Sequence, residues 1–222
     1  AAPRPGAACA TDRYARVLAL LLIGLGVATF VEETGPARVL LSLAVVAAIV
    51  GSLRASGVVP GRMRRIVAVA VPFAIVVTVD GFFETSGLTV GVWLAVTAAL
   101  GYSAFALVRR VLEHEEVAVG HVVAALAAYV EVALVFAFVY AAADQSAGGE
   151  FFTNGVAGNI GDFVYFSVVT ITTLGFGDLA PATDLGRSLV MIETLFGQIL
   201  LVVLVAYLVG SLGGSGTRAS RP

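Results

Sequence analysis

Lysine is missing altogether, and the 13 basic residues are all arginine. With 15 acidic residues the formal net charge is only −2, so the chain has no basic field to hold a nucleic acid. A single cysteine, Cys9, excludes a disulfide within the chain and any cysteine-based metal cluster. It sits in a Pro/Gly/Ala-rich start and is expected to be an ordinary thiol. Charge of either sign is scarce: 13% of residues, against about 25% in a soluble domain. What fills the space is apolar, 59% of the chain at a mean hydropathy of +0.99. That leaves too little polar surface to coat a soluble globule of 222 residues, and a bilayer is the natural solvent.

Crossing the hydrocarbon takes about 20 apolar residues. Six stretches approach that: residues 17–31, 37–53, 66–79, 89–108, 117–142 and 186–210. The first and third are short, and are counted because the alternation of charge between loops needs them. Arg13 and Arg16 before the first stretch imitate a secretory leader. Phe30-Val31-Glu32-Glu33 offers no small-residue cleavage site, so a retained anchor is expected. Arginine then fixes the orientation. Arg4, Arg13 and Arg16, then Arg54, Arg62, Arg64 and Arg65, then Arg109 and Arg110, then Arg218 and Arg221 fall on one side; only Arg38 and Arg187 fall on the other. Both termini are therefore expected in the cytoplasm of a multi-pass protein of the cell membrane.

Between the fifth and sixth stretches, residues 144–185 differ in character. The segment opens polar and glycine-rich, with Gly148, Gly149, Gly155, Gly158 and Gly161. An apolar run from 163 to 171 follows, too short to cross. Asn159 suits an N-cap, with Asp162 in the first turn behind it. The run ends in Thr170, Thr172 and Thr173 and then two glycines. This pattern predicts a re-entrant helix followed by an extended loop. Irregular backbone at membrane depth survives only where protein buries it or water lines it, so the segment by itself argues for a pore.

Thr170-Ile171-Thr172-Thr173-Leu174-Gly175-Phe176-Gly177-Asp178 resembles the potassium-channel signature Thr-Val-Gly-Tyr-Gly-Asp. The chain is similar to prokaryotic channels of the small ion-channel family over about residues 117–210, with four further spans ahead. Pro181, Gly186, Arg187 and Gly197 keep the family's spacing, Gly197 standing where the family has its inner-helix hinge glycine. The resemblance implies a potassium site on Thr173, Leu174, Gly175, Phe176 and Gly177, with Asp178 at the outer mouth. Backbone carbonyls would replace the ion's water shell. Leu174 and Phe176 replace the commoner Val and Tyr; they are expected to point away from the axis and pack behind the filter, and Phe176 lacks a phenol hydroxyl. The motif occurs once, so a closed ring needs three further copies of the chain. The pore is passive, with no cofactor; K⁺ is its cargo, and membrane lipid its other partner.

The fold expected is all-α, six spans plus one re-entrant pore helix per subunit of a homotetramer. Its parts are a cytoplasmic segment 1–16, a sensor-like four-helix domain 17–108, a cytoplasmic linker 109–116, a pore domain 117–210 and a cytoplasmic tail 211–222. The pore domain divides into outer helix 117–142, turret 143–159, pore helix 160–172, filter 173–178 and inner helix 186–210. On the inner helix Gln198, Leu201 and Val205 share one face and are candidates to line the cavity, the alternative being contact with a neighbouring helix. Gly197 is either a bending point or a place of close packing.

Voltage acts on moved charge, and a sensor carries several arginines along its fourth helix. Residues 89–108 contain none; Arg109 and Arg110 stand at the cytoplasmic end. Steep voltage gating is not expected. Two acids lie within spans, Glu131 and Glu193. Such groups are expensive in lipid. They are candidates for filter support or pH-sensitive gating, meeting each other behind the filter or bonding the short helix near Tyr165 or Thr170; the plainer alternative is a neutral acid bonded to backbone. His114 and His121 do not form His-Glu-x-x-His, because position 118 is Ala. No Gly-x-Ser-x-Gly supports an intramembrane enzyme. The alternatives to a selective potassium channel are a less selective monovalent cation channel and a regulatory subunit that conducts only in a heteromer.

Overall fold

The computed structural model describes residues 5–30, 35–64, 66, 68, 89–113, 119–146, 148–153, 155 and 158–217. Among them the fold is all-helical, apart from one isolated bridge between Phe152 and Pro181. Six helices follow in order: α1 Pro5–Phe30, α2 Gly35–Ala55, α3 Thr89–Leu112, α4 Val119–Ser146, α5 Ile160–Ile171 and α6 Asp184–Thr217. Residues 60–64 are helical as well. The expected third span, 66–79, lies outside the described residues except for 66 and 68, as do Arg65, Asp80, Glu84, His114, Glu115 and Glu116.

The helices outrun the apolar stretches at several ends. α1 begins at Pro5 rather than at residue 17, so most of the expected N-terminal segment is helix. Proline suits a first helical position, because its fixed φ is already helical and its missing N–H has no partner to lose. Tyr14 and Val17 are buried, and the Tyr14 hydroxyl donates to the Ala55 carbonyl at the end of α2, 3.3 Å away. α3 likewise runs through Arg109 and Arg110 to Leu112, taking in half of the expected linker. There Arg109 pairs with Glu113 one turn on, at 2.6 Å. An apolar window detects the part of a helix that lipid can cover; its polar ends follow backbone propensity instead.

α4 is the axis of the bundle. α3 packs along it, α1 crosses it, and α5 and α6 lean on it from another side; α1 also packs on α2 and α5. Its buried positions are dominated by alanine: Ala124, Ala125, Ala127, Ala128, Ala133, Ala137 and Ala141. Small side chains let helix backbones approach closely where no hydrophobic drive separates protein from lipid. In the same buried cluster lie Leu21 of α1, Ile49 and Leu53 of α2, and Leu100, Leu107 and Val111 of α3, all fully buried. Among the described residues three helical stretches are long and apolar enough to cross a membrane, Leu94–Leu112, Val119–Ser146 and Asp184–Gly210.

Two close approaches join the leading helices to the rest. Gly120 of α4 lies against Thr11 of α1, and Gly161 of α5 lies against the Ala28 carbonyl. A Cβ at Gly161 would meet that carbonyl oxygen at 2.3 Å. Alanine ordinarily improves a helix by about 0.5–1 kcal/mol over glycine. Here the clash is with backbone, which cannot rotate away, and overpacking of this kind costs about 1–3 kcal/mol. Gly161→Ala is therefore expected to lower the melting temperature of the purified protein in detergent; an unchanged or raised melting temperature would show that α1 does not press on α5.

Candidate functional site

The short helix α5 is fixed at its start by the sequence feature expected there. Asn159 adopts φ −85° and ψ 168°, and its Oδ1 accepts from the Asp162 N–H at 2.9 Å. The Asp162 carboxylate accepts in return from the Asn159 N–H at 3.1 Å, which completes a capping box. Asp162 places negative charge at the positive end of the helix dipole. At the far end Thr172 caps the helix, its N–H donating to Val168 O, and the Tyr129 hydroxyl of α4 donates to Ile171 O at 2.7 Å.

The loop before α5 is held by aromatic packing. Phe151 and Phe152 are buried and meet Tyr140 of α4 and Phe163 and Phe166 of α5, with ring centroids 5.1–6.1 Å apart. The strand that leaves the 173–178 loop is clipped to this cluster. Thr153 N–H donates to Ala180 O at 2.9 Å and Ala182 N–H to Phe151 O at 2.8 Å. The Thr183 hydroxyl accepts from Gly186 N–H at 3.0 Å and so opens α6. Both ends of the 173–178 loop are thereby anchored.

The loop itself alternates in handedness. Thr173, Gly175 and Gly177 have φ of 60°, 55° and 79°, while Leu174 and Phe176 between them do not enter the left-handed region. For the two glycines this conformation is free of a Cβ penalty. Thr173 bears one, about 1–2 kcal/mol, and is the single non-glycine residue with positive φ among the described residues. Its N–H donates to Thr170 O at 2.9 Å, and Leu174 N–H to Val169 O at 3.0 Å. Leu174 and Phe176 are not packed within the chain: they are 61% and 66% exposed. Asp178 is bound at the loop's end by the Tyr165 hydroxyl, which donates to its Oδ2 at 2.8 Å. Tyr165 therefore serves the loop directly instead of meeting the buried acids.

The two acids do not meet each other. Glu193, fully buried on α6, lies in hydrogen-bond contact with the Tyr140 hydroxyl of α4 and the Ser167 hydroxyl of α5; Ser167 also donates to Ala133 O at 2.7 Å. Glu131, fully buried on α4, faces the other way. Ser52 of α2 donates to its Oε1, and Ser103 of α3 reaches its Oε2 at 3.2 Å and Leu100 O at 2.9 Å. Each acid thus joins three helices, but only Glu193 touches α5. The hydroxyls of Ser52, Ser103, Tyr129, Tyr140 and Ser167 were not marked by the sequence reading. Their one signal is type: hydroxyl residues inside apolar helices that also hold an acid.

On α6 the buried stripe is Glu193, Gly197, Leu200 and Leu204, which face α4 and α5. Gln198, Leu201 and Val205 lie on the exposed remainder of the helix. Gly197 has a concrete packing partner. A Cβ there would meet Ile171 Cγ1 at 2.5 Å and Ile171 O at 3.4 Å, so the end of α5 rests on this glycine. Thr170 is part-buried, and its carbonyl accepts the Thr173 N–H. Since Tyr165 and Asp178 hold the loop by one exposed hydrogen bond, Tyr165→Phe is expected to shorten the lifetime of its ordered state roughly two- to tenfold. Hydrogen exchange of the loop amides measures this, and unchanged exchange would mean the bond does not restrain the loop.

Comparison with known proteins bears on these same helices. Residues 124–212 match a family model described as "Ion channel", which is less than half of the chain but takes in most of α4, all of α5, the 173–178 loop and most of α6. A segment of 43 residues is 40% identical to a hyperpolarization-activated voltage-gated potassium channel of Methanocaldococcus jannaschii. That alignment covers 19% of this chain and 21% of the relative. No solved structure matches the chain. Residues 124–212 are thus similar to an ion channel domain, and the 43-residue match is to a protein described as a potassium channel.

Proposed function

We propose that the chain is one subunit of a homotetrameric channel that passes dehydrated K⁺ through a filter made of Thr173, Leu174, Gly175, Phe176 and Gly177. The observation that carries this reading is the alternating handedness of the loop. In an extended chain successive carbonyls point to opposite sides. Inserting a left-handed residue at every second position removes that reversal, which is what a ladder of carbonyls on one side requires. Four such ladders around an axis would stand in for the water around a cation. K⁺ is the permeant ion and no cofactor takes part.

Exposure of apolar groups supports the fourfold assembly. Leu174, Phe176, Leu195, Phe196, Ile199 and Val202 all stand uncovered on one chain. Lipid can cover some of α6, but a loop carrying polar backbone cannot face hydrocarbon, so neighbouring copies are its natural cover. Gln198, Leu201 and Val205 would then line the cavity below Thr173. Asp178 would stand at the outer mouth, with both termini in the cytoplasm. The fourth span carries no arginine within residues 89–108, so the voltage gating in that relative's description is not transferred to this chain.

Purified protein reconstituted in vesicles is expected to give currents whose reversal potential follows the K⁺ gradient when Na⁺ replaces K⁺ on one side. A reversal potential indifferent to that exchange would assign the less selective cation channel instead, and absence of flux from the protein alone would favour a heteromeric role. Open probability is expected to change little with voltage; a steep dependence would overturn the insensitivity. Gly177→Ala forces a Cβ onto a φ of 79° in four subunits and should reduce K⁺ flux roughly tenfold or more.

A further inference from the structure

We propose that Glu193 works as a neutral hydrogen-bond donor, a positioning residue that ties α6 to the short helix α5 through a one-way chain ending on the Ala133 carbonyl of α4. The inference rests on the channel reading for its consequence, but not for its chemistry.

Hydrogen counting carries it. The Ser167 hydroxyl owns one hydrogen and has two oxygen neighbours, Ala133 O at 2.7 Å and Glu193 Oε1. A carbonyl oxygen only accepts, so the Ser167 hydrogen belongs to Ala133 O. The contact between Ser167 and Glu193 is then a hydrogen bond only if the carboxyl supplies the proton. Tyr140 is a phenol and donates to the other carboxyl oxygen. The neutral acid uses each group once: Glu193 O–H donates to Ser167, Ser167 donates to Ala133 O, and the Tyr140 O–H donates to Glu193. The ionised form cannot satisfy all of them. Ser167 would have to turn its hydrogen to the carboxylate, leaving two oxygens at 2.7 Å with no proton between them. A bare charge would also lie fully buried, and the groups bonded to it among the described residues are hydroxyls, none of them a cation.

The surroundings fit a neutral group. From α4 the titratable side chains facing Glu193 are the phenols Tyr140 and Tyr129; from α5 the group that meets it is the Ser167 hydroxyl. Asp178 and Tyr165 are engaged with each other, and Glu131 is turned to α2 and α3. One turn along α6 from Glu193, Gly197 supports Ile171, the last residue of α5 before the Thr172 cap and the loop. The carboxyl and the glycine together fix how α6 sits under the loop. Removing the proton leaves one Ser167 hydrogen for two acceptors, so α5 loses its hydrogen bond either to α4 or to α6.

Glutamine can replace a neutral glutamic acid here, since its amide donates to Ser167 and its carbonyl accepts from Tyr140. The expected result is that E193Q channels conduct within roughly twofold of wild type near neutral pH. Wild type should lose flux as pH rises, because an ionised carboxylate cannot donate, whereas E193Q should stay flat over the same range. Infrared difference spectra of wild type against E193Q give a readout that needs no conduction. The carbonyl band of a neutral carboxylic acid should be present in wild type and absent in the variant. Loss of carboxylate bands in that difference, or an alkaline profile shared by both proteins, overturns the proposal. If neither protein conducts, the channel reading falls, and the infrared band still decides where the proton sits.

Discussion

A helix of 12 residues is about 18 Å long, far short of the roughly 30 Å of hydrocarbon, so α5 cannot cross a membrane and depends on its neighbours at both ends. The stability of that arrangement depends on what receives the helix end and the irregular loop that follows it. In this chain the answer is specific. The start of α5 is closed by Asn159 and Asp162 and pressed by Ala28; the end is met by Tyr129 and by Gly197. The middle is pinned by Ser167 to α4 and α6. Hydrogen bonds buried in so apolar a setting are strong when complete and costly when broken, which ties the loop's geometry to the positions of three helices.

The leading helices acquire a structural role from the same constraint. Residues 89–108 of α3 contain no arginine; α1 touches α4 and α5, and α2 and α3 send hydroxyls to Glu131. α4 therefore sits between two buried carboxyl centres, one joining it to the leading helices and one to the loop-bearing helices. α4 also presents Tyr140 to Glu193.

Phe176 carries no hydroxyl with which to hold the loop. The loop's polar restraint within the chain lies one step outward, between Tyr165 and Asp178. The apolar faces of Leu174 and Phe176 stay uncovered on the single chain.

Local rules were enough for several features. The run of apolar segments, the Asn159 cap with Asp162, the break at residue 171 and the glycines at 175 and 177 each follow from residue type at short range, through hydrophobic burial, capping and the missing Cβ. Helix ends were less legible, because Pro5–Arg16 and Arg109–Leu112 are helical for reasons of backbone propensity that an apolar window does not weigh. Partners across the fold were not legible at all. The spacing along the chain could not say that Glu193 would meet Ser167 and Tyr140 while Glu131 met Ser52 and Ser103, nor that Tyr165 would turn to Asp178. Those pairings join residues 13 to 79 positions apart, and only the way the helices pack around α4 brings their side chains within reach.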